Sequence, residues 1–589
     1  PEVGQGGYME LGPSGSSTGV GIATAVSPGD RTITLTAAFN PGSGANLITF
    51  IIVGNNTTVT GGTKEIRRVL HGFGTTTVTV DVPFGFRHPV VSAAANIIQY
   101  INTTADGTAD TSAIATDDKG KFITWLPGVY ESVDCPDPEQ AFEPRYTLGS
   151  LTNRNFYQMY AGNESLSGSI GGMVMLNGFP LRFPIGKVVT TPFNAPGDSG
   201  WNLKGDHKAG DTLINIDRSG ATTIGVDTYM LLGVPGGGSA PSGAVHQTDS
   251  TKVYEIVKIV TAVSSSDDTT MQIWPPLKFD HPDDEDLFTI VVASTQMFLH
   301  TIFEQVALTP ITWNVNIVDD AGTNEWQRRY VGGKVGSMSL SAEAGGLLTG
   351  GWDGVNFLDM VHNMKAHPDL PGNQPLPRYT AMQNITSSKV GRYSSGSAFD
   401  RPTSAPYYYS QGSVKMFGVT STTEAELARI ASFSLSISNN TEPKYYVGTQ
   451  HDGRRAPKEQ YEGNREYSMS ASLATNDSAD QGTDDTRNLF KELLLAGDYR
   501  GSGATSVTQG FRGFGIELKF VRDLEASSVD YIILDIPGDG TAAAGGNEQG
   551  AFIRTAAHNI GDTNPLTADA DIAFRSMRIK IRDYEPIYP

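Results

Sequence analysis

Phe433-Ser434-Leu435-Ser436-Ile437-Ser438 alternates a large apolar side chain with serine through three periods. A period of two is that of a β-strand, whose successive side chains point to opposite faces, so the stretch reads as a strand with one buried and one polar face. Met338-Ser339-Leu340-Ser341-Ala342 and Met577-Arg578-Ile579-Lys580-Ile581 alternate in the same way. The polar face carries serine in two of these strands and basic residues in the third, so each strand has one buried and one polar face.

Composition points the same way. Gly (67) and Pro (32) in 589 residues, with Thr and Ser abundant, fit many short strands joined by turns. Hydrophobic residues at 38% suffice to build cores and exclude general disorder, and the length allows about three or four domains. With 43 basic against 63 acidic residues the formal net charge is −20, which argues against a subunit that grips nucleic acid through phosphate contacts. Cys135 is the only cysteine, so neither an intrachain disulfide nor a Cys-based zinc site can form. No apolar run of transmembrane length occurs, and Pro1 to Gly15 has neither a basic segment nor an apolar core, so a soluble protein without an export signal is expected.

Two internal repeats organise the chain. In the first, Asp30-Arg31-Thr32-Ile33-Thr34-Leu35, Ile52-Val53-Gly54, Lys64-Glu65-Ile66, Thr76-Thr77-Val78 and Pro83-Phe84-Gly85-Phe86-Arg87-His88-Pro89 recur in order. Their counterparts are Asp211-Thr212-Leu213-Ile214-Asn215-Ile216, Leu231-Leu232-Gly233, Tyr254-Glu255-Ile256, Thr269-Thr270-Met271 and Pro276-Leu277-Lys278-Phe279-Asp280-His281-Pro282. About five strands in so short a unit suit a small β-barrel, since closure removes exposed strand edges. His88 and His281, each before a proline without a nearby Cys or second His, read as structural rather than metal-binding.

In the second repeat, Glu143-Pro144-Arg145-Tyr146-Thr147-Leu148-Gly149 returns as Glu442-Pro443-Lys444-Tyr445-Tyr446-Val447-Gly448. Gly162-Asn163 and Gly463-Asn464 then lead into serine-alternating segments. A helix is expected over 485–496, capped by Asp484, apolar through Leu489, Phe490, Leu493 and Leu494, and stopped by Gly497, with 357–364 as its counterpart. The fold class is therefore mainly β: a duplicated β-sandwich or barrel with one short helix per half, plus two small β-barrel decoration modules. Residues 1–125 form the N-terminal module, 126–190 begin the first half, 191–293 are the inserted module, 294–400 complete the first half, and 401–589 form the second.

The stretch from Phe433 through Pro443, with Gly453-Arg454-Arg455-Ala456-Pro457 and Tyr461-Glu462-Gly463-Asn464-Arg465-Glu466-Tyr467, resembles the tail tube proteins of long-tailed bacteriophages and related archaeal tailed viruses. Arg329-Tyr330-Val331-Gly332-Gly333-Lys334-Val335-Gly336-Ser337-Met338 resembles them too, and the matches occur in the expected order. The resemblance implies flat rings whose subunits share one inner β-barrel, stacked into a tube that conducts genome DNA, in a virion assembled from proteins made in the host cytoplasm. It implies a subunit that is not an enzyme, takes no cofactor, and contacts copies of itself, a tape measure protein and other tail proteins, but no membrane. The duplicated motif, Glu143, Pro144, Tyr146 and Gly149 with Glu442, Pro443, Tyr445 and Gly448, favours trimers with pseudo-sixfold symmetry over hexamers. Asp452, Arg454, Arg455, Lys458 and Glu459 make the loop from Gly448 to Gly463 the candidate ring-stacking loop, with a plain solvated loop as the alternative, and acidic residues facing the lumen would let DNA slide.

Other readings stay open. Gly197-Asp198-Ser199-Gly200 and Thr555-Ala556-Ala557-His558 resemble serine-protease segments, but in reversed order and with Trp201 after the first. Asp283-Asp284-Glu285-Asp286 lacks the spacing of a calcium loop and reads as a solvated loop. A distal tail or baseplate hub protein would use the same fold, whereas a secreted β-rich adhesin or a carbohydrate-active enzyme with a distant carboxylate pair would belong to a different class.

Overall fold

The computed structural model describes residues 2–5, 9–10, 16–103, 122–145, 158–362, 405–417, 425–446, 457–474, 515–536 and 551–588, less short loops within those spans. Its centre is an eight-stranded antiparallel sheet. In chain order the strands are β1 (Ser132–Asp134), β2 (Ser167–Val174), β3 (Ser337–Glu343), β4 (Thr349–Asn356), β5 (Ile430–Ser438), β6 (Glu466–Ala474), β7 (Ala551–Asn559) and β8 (Thr567–Phe574). In space they run β1-β2-β4-β3-β5-β6-β8-β7. The order 1-2-4-3 is followed by 5-6-8-7, so the sheet is the same four-stranded unit used twice. The two units are joined where β3 pairs β5, with Ser337 opposite Ser438 and Glu343 opposite Ser432.

A seven-stranded sheet covers one face. It consists of Gly186–Pro192, Phe298–Glu304, Gly412–Phe417, Ala425–Leu427, Gly515–Val521, Tyr531–Ile536 and Arg578–Asp583. Met338, Leu340, Leu435, Ile437, Met469 and Ile572 from the first sheet meet Val188, Ile302, Leu518, Leu534, Ile579 and Ile581 from the second in one continuous core. Hydrophobic alternation of period two produces this arrangement, because each sheet turns its apolar side to the other.

The only α-helix among the described residues is Phe179–Ile185, which follows β2 as the 485–496 segment follows β6. All seven of its residues are buried, so it has no polar face and no amphipathic period; Pro184 inside it further obscures it, while Pro180 at its start suits the first turn. The expected helix at 357–364 is corrected: Asp359–His362 is a strand that pairs with Glu325–Gly333. Phe357 at its start is buried against Trp313, with ring centroids 4.9 Å apart. The 485–496 segment lies outside the described residues.

Between the hairpin strands Gly186–Pro192 and Phe298–Glu304 sits a closed barrel of six strands, one more than expected, bounded by Gly197–Leu203 and Asp286–Ile290. Met230, Leu232, Val257 and Met271 fill its interior. Tyr229, Leu231, Ile256 and Phe288, of opposite parity, belong to the sandwich core, which explains a strand (Tyr229–Val234) buried on both faces. The N-terminal six-stranded sheet repeats the barrel's strand order. Ile33 pairs Val78 as Ile214 pairs Met271, Val53 pairs Glu65 as Leu232 pairs Glu255, and the bridge Val26–His88 matches His207–His281. Phe84 N–H donates to the Asp30 carbonyl as Leu277 N–H donates to that of Asp211, both at 2.9 Å.

Truncating Leu435 to Ala in the sandwich core is expected to cost ~2–5 kcal/mol, against under ~0.5 kcal/mol for Ser436→Ala on the opposite face, measured by urea denaturation.

Candidate functional site

The face of the eight-stranded sheet turned away from the core is built of aligned rows. One row reads Asp353, Ser337, Ser438, Glu466; the next Gly351, Ser339, Ser436, Ser468, Ala573. A third reads Thr349, Ser341, Ser434, Ser470, Asp571, Thr555, and a fourth Glu343, Ser432, Ser472, Asp569, Ala557. Rows of small polar groups follow directly from the period-two alternation once the strands are held in register. Seven of the eight strands contain no Lys or Arg, and Arg554 on β7 is the single exception. Asp353, Glu343, Glu466, Asp569 and Asp571 on these strands are acidic. Lys187, Lys415, Lys519, Arg578, Lys580 and Arg582, by contrast, lie on strands of the covering sheet. A polyanion brought to the serine face meets hydroxyls and carboxylates and few cations to bind it.

Among the described residues the sheet ends at β1 on one side and at β7, nine residues long, on the other. An edge strand of that length offers a row of backbone donors and acceptors to another chain.

A two-stranded hairpin rises from the same place in each half. Glu139–Arg145 with Gln158–Ser165 connects β1 to β2, and Glu442–Lys444 with Glu459–Tyr461 connects β5 to β6. The repeated motif occupies matching positions: Glu143 pairs Tyr160 and Pro144 pairs Met159, as Glu442 pairs Tyr461 and Pro443 pairs Gln460. Tyr445 ties the two hairpins together, its hydroxyl donating to the Glu164 carbonyl at 2.8 Å. Buried Asn439 anchors the second hairpin's base. Its Nδ2 donates to the carbonyls of Pro184 and Val335, both at 3.0 Å, and its Oδ1 accepts from Arg465 Nε at 2.7 Å. Next to it, Asn440 adopts a φ of 47°, a conformation asparagine tolerates in turns. Of the candidate stacking residues, exposed Glu459 lies opposite Lys444. Asp452, Arg454, Arg455 and Lys458, like Tyr146, Gly149 and Gly448, lie outside the described residues.

A family model for the phage tail tube protein matches residues 150–572. The chain belongs to that family. It is a structural tail protein and a component of a virion. The match runs from ahead of β2 into β8, and so includes the joint between the two halves of the sheet. No curated protein matches the sequence significantly. A chain in the virion of the native gene transfer agent (GTA) particle overlaps 29% of this tail tube protein and 96% of its own length at 11% identity, with a TM-score of 0.16, too low to argue fold from.

The tail tube protein also shows what its other conspicuous motifs do. The Ser199 hydroxyl donates to the Leu287 carbonyl, at a bulge where the strand Gly197–Leu203 meets Asp286–Ile290, while His558 belongs to β7 of another sheet. The acidic run, expected as a solvated loop, is corrected at Glu285, which is buried and accepts from Gly233 N–H at 3.0 Å and from His281. Asp283 and Asp286 accept the N–H groups of Gly205 and Gly238 at 2.6 and 3.1 Å.

His281 is held at 2.7 Å by Glu285 through Nδ1 and at 2.7 Å by Glu255 through Nε2. Glu255 is itself fully buried and also accepts the N–H groups of Lys278 and Phe279. Burial alone would push the imidazole pKa down, but the hydrogen bonds and charges of both carboxylates outweigh it and raise the pKa to about 9. Because the folded value exceeds the unfolded ~6.5, the stabilisation is full below pH ~6.5 and disappears as pH rises through about 9. Neighbouring Lys278 and Arg182 titrate with the opposite sign, burial driving them down to about 7 and about 9. The signal of His281 is therefore read as a difference between proteins: the gap in denaturation midpoint between wild type and His281→Gln is expected to be largest at pH 6 and to close by pH ~10.

Proposed function

We propose that this tail tube protein forms closed rings that stack into the tube through which the viral genome is delivered, and that it acts without catalysis or cofactor. The observation that carries the reading is the joint between β3 and β5. Within one chain, the last strand of one 1-2-4-3 unit pairs with the first strand of the next. β7 stands where β3 stands, and β1 where β5 stands, so β7 of one chain pairing with β1 of the next repeats a joint that the fold already contains. A head-to-tail joint of this type either closes as a ring or runs on as a helix.

Three chains of eight strands each would close one 24-stranded barrel with pseudo-sixfold symmetry. At ~4.8 Å per strand its circumference is ~115 Å. Barrels of 16–18 strands already enclose an aqueous channel, so this one leaves ample room. The serine rows then line the lumen, and duplex DNA slides past hydroxyls and carboxylates with few attractive contacts to break. The tape measure protein would occupy the same lumen during assembly and other tail proteins would meet the tube ends. The two hairpins would serve contacts between rings. Residues 126–190 with 294–400, and 401–589, act as the two tube domains, and the modules at 1–125 and 191–293 as outward decorations.

Size-exclusion chromatography with mass determination, followed by negative-stain electron microscopy, tests this directly. The expected particle is a hollow ring of three 62.9-kDa chains that stacks into tubes. Isolated rings that never stack would indicate a hub, and monomers under every salt condition would contradict the proposal.

The lumen chemistry gives a separate test. Tubes of the Ser434→Lys/Ser470→Lys variant are expected to retain duplex DNA at about 50 mM salt and release it at about 200 mM, while wild-type tubes retain none at either concentration in a filter-binding assay.

A further inference from the structure

The inserted barrel carries one connection that its fold does not need. Tyr229–Val234 and Glu255–Ile259 are paired neighbours, yet residues 235–254 join them, where a hairpin turn takes ~2–5 residues and the same connection in the N-terminal module takes only 54–64. Residues 246–250 of this loop lie on the covering sheet. Lys187 Nζ donates to the Ser250 carbonyl at 2.8 Å and sits 4.8 Å from the Phe279 ring centroid, with the Asp249 carboxylate acting on it. His246 reaches further: its Nδ1 is 3.3 Å from Thr301 Oγ1 and its Nε2 is 3.0 Å from the Tyr531 hydroxyl. In the order Gly186–Pro192, Phe298–Glu304, Arg578–Asp583, Tyr531–Ile536, these contacts fall on the first, second and fourth strands. The loop therefore crosses the pairing of Phe298–Glu304 with Arg578–Asp583. It does so on the face opposite the core, since Thr301 and Tyr531 alternate with core residues Ile302 and Ile532.

The place where the imidazole is buried is basic. Lys580 is the cross-strand neighbour of Thr301, and Arg582 that of Tyr531, on the strand between them. Arg582 and Lys519 lie over the Tyr531 ring at 4.8 and 5.3 Å from its centroid, and Glu517 acts on the same tyrosine from Gly515–Val521. Two further carboxylates are engaged with other groups: Asp535 pairs with Arg578 and Lys580, and Asp583 lies 3.2 Å from His300. Both hydroxyls beside His246 can accept from an imidazolium, so hydrogen bonding does not exclude the proton. Burial does, followed by the basic groups Lys580, His300, Arg578 and Arg582, and together they push the pKa down to about 3.

We propose that residues 235–254 are a strap that docks the inserted barrel on the outer face of the covering sheet, with His246 as its acid-labile catch, seated between Thr301 and Tyr531 when neutral and expelled when protonated. This goes beyond the ring reading and does not depend on it. Because the docked value lies below the ~6.5 of a released histidine, docking is at full strength above pH ~6.5, weakens about tenfold per unit as pH falls below it, and levels off near pH ~3.

Thiol labelling tests the catch. Thr301, 1% exposed beneath His246, is replaced in a T301C/C135S protein, with and without His246→Gln. Reaction with 4,4′-dithiodipyridine, which modifies thiols in acid, is followed by mass spectrometry and normalised to a free cysteine peptide at the same pH. From pH ~7.5 to ~4.5 the normalised rate is expected to rise ~100-fold with His246 in place and less than ~3-fold in H246Q, whose amide keeps a donor and an acceptor but takes no proton. A rise under ~10-fold with His246 in place, or an equal rise in H246Q, would overturn the proposal. The unsubstituted protein gives an independent reading through exchange of the carbon-bound imidazole hydrogen, measured histidine by histidine. His246 is expected to titrate well below pH ~6.5, and a midpoint at ~6.5, that of an exposed histidine, would overturn the assignment.

Discussion

The pairing of β3 with β5 is the constraint on which the rest of the molecule depends. Seven consecutive residues of β3, Ser337 to Glu343, face Ser438 to Ser432 in unbroken register. A one-residue slip would turn Leu435 and Ile437 to the polar side and the serines into the core. The register thus fixes which face is buried, which is polar, and how the second half of the chain sits against the first. Among the described residues it also leaves β1 and β7 at the two ends of the sheet, and a nine-residue end strand is a template for pairing with another chain.

Charge is sorted on the same scaffold. Basic residues appear on strands of the covering sheet, where Arg578 and Lys580 pair with Asp535 at 2.9 and 2.6 Å, and are nearly absent from the serine-faced sheet. A net charge of −20 describes the chain as a whole, but the sorting is what bears on DNA, because a surface holds a polyanion through local cations. The inserted barrel is fixed to this scaffold by its outward apolar residues and by backbone contacts such as Thr190 N–H to the Tyr254 carbonyl at 3.0 Å.

Much of this was legible in the sequence, and the limits have physical causes. The serine alternation predicted the polar face of the strands it marks, and the first repeat predicted two matching small β units of about five strands, which the structure shows as six-stranded units whose registers coincide. The helix Phe179–Ile185 was not legible, because a fully buried helix has no amphipathic signature and this one contains two prolines. The 357–364 segment was read as the helical counterpart of 485–496, but Phe357 packs on Trp313 and Asp359–His362 runs as a strand. Burial of Glu285 depends on His281, four residues away and held from the other side by Glu255; an acidic run gives no sign of such a partner.

A three-dimensional reconstruction of the assembled tube by electron cryomicroscopy, at a resolution that separates strands, tests the central claim most directly. The account predicts one continuous barrel in which β7 of each chain is hydrogen-bonded to β1 of its neighbour and Ser339, Ser436 and Ser468 face the lumen. A tube whose serine rows face outward, or whose β7 remains unpaired, would contradict it.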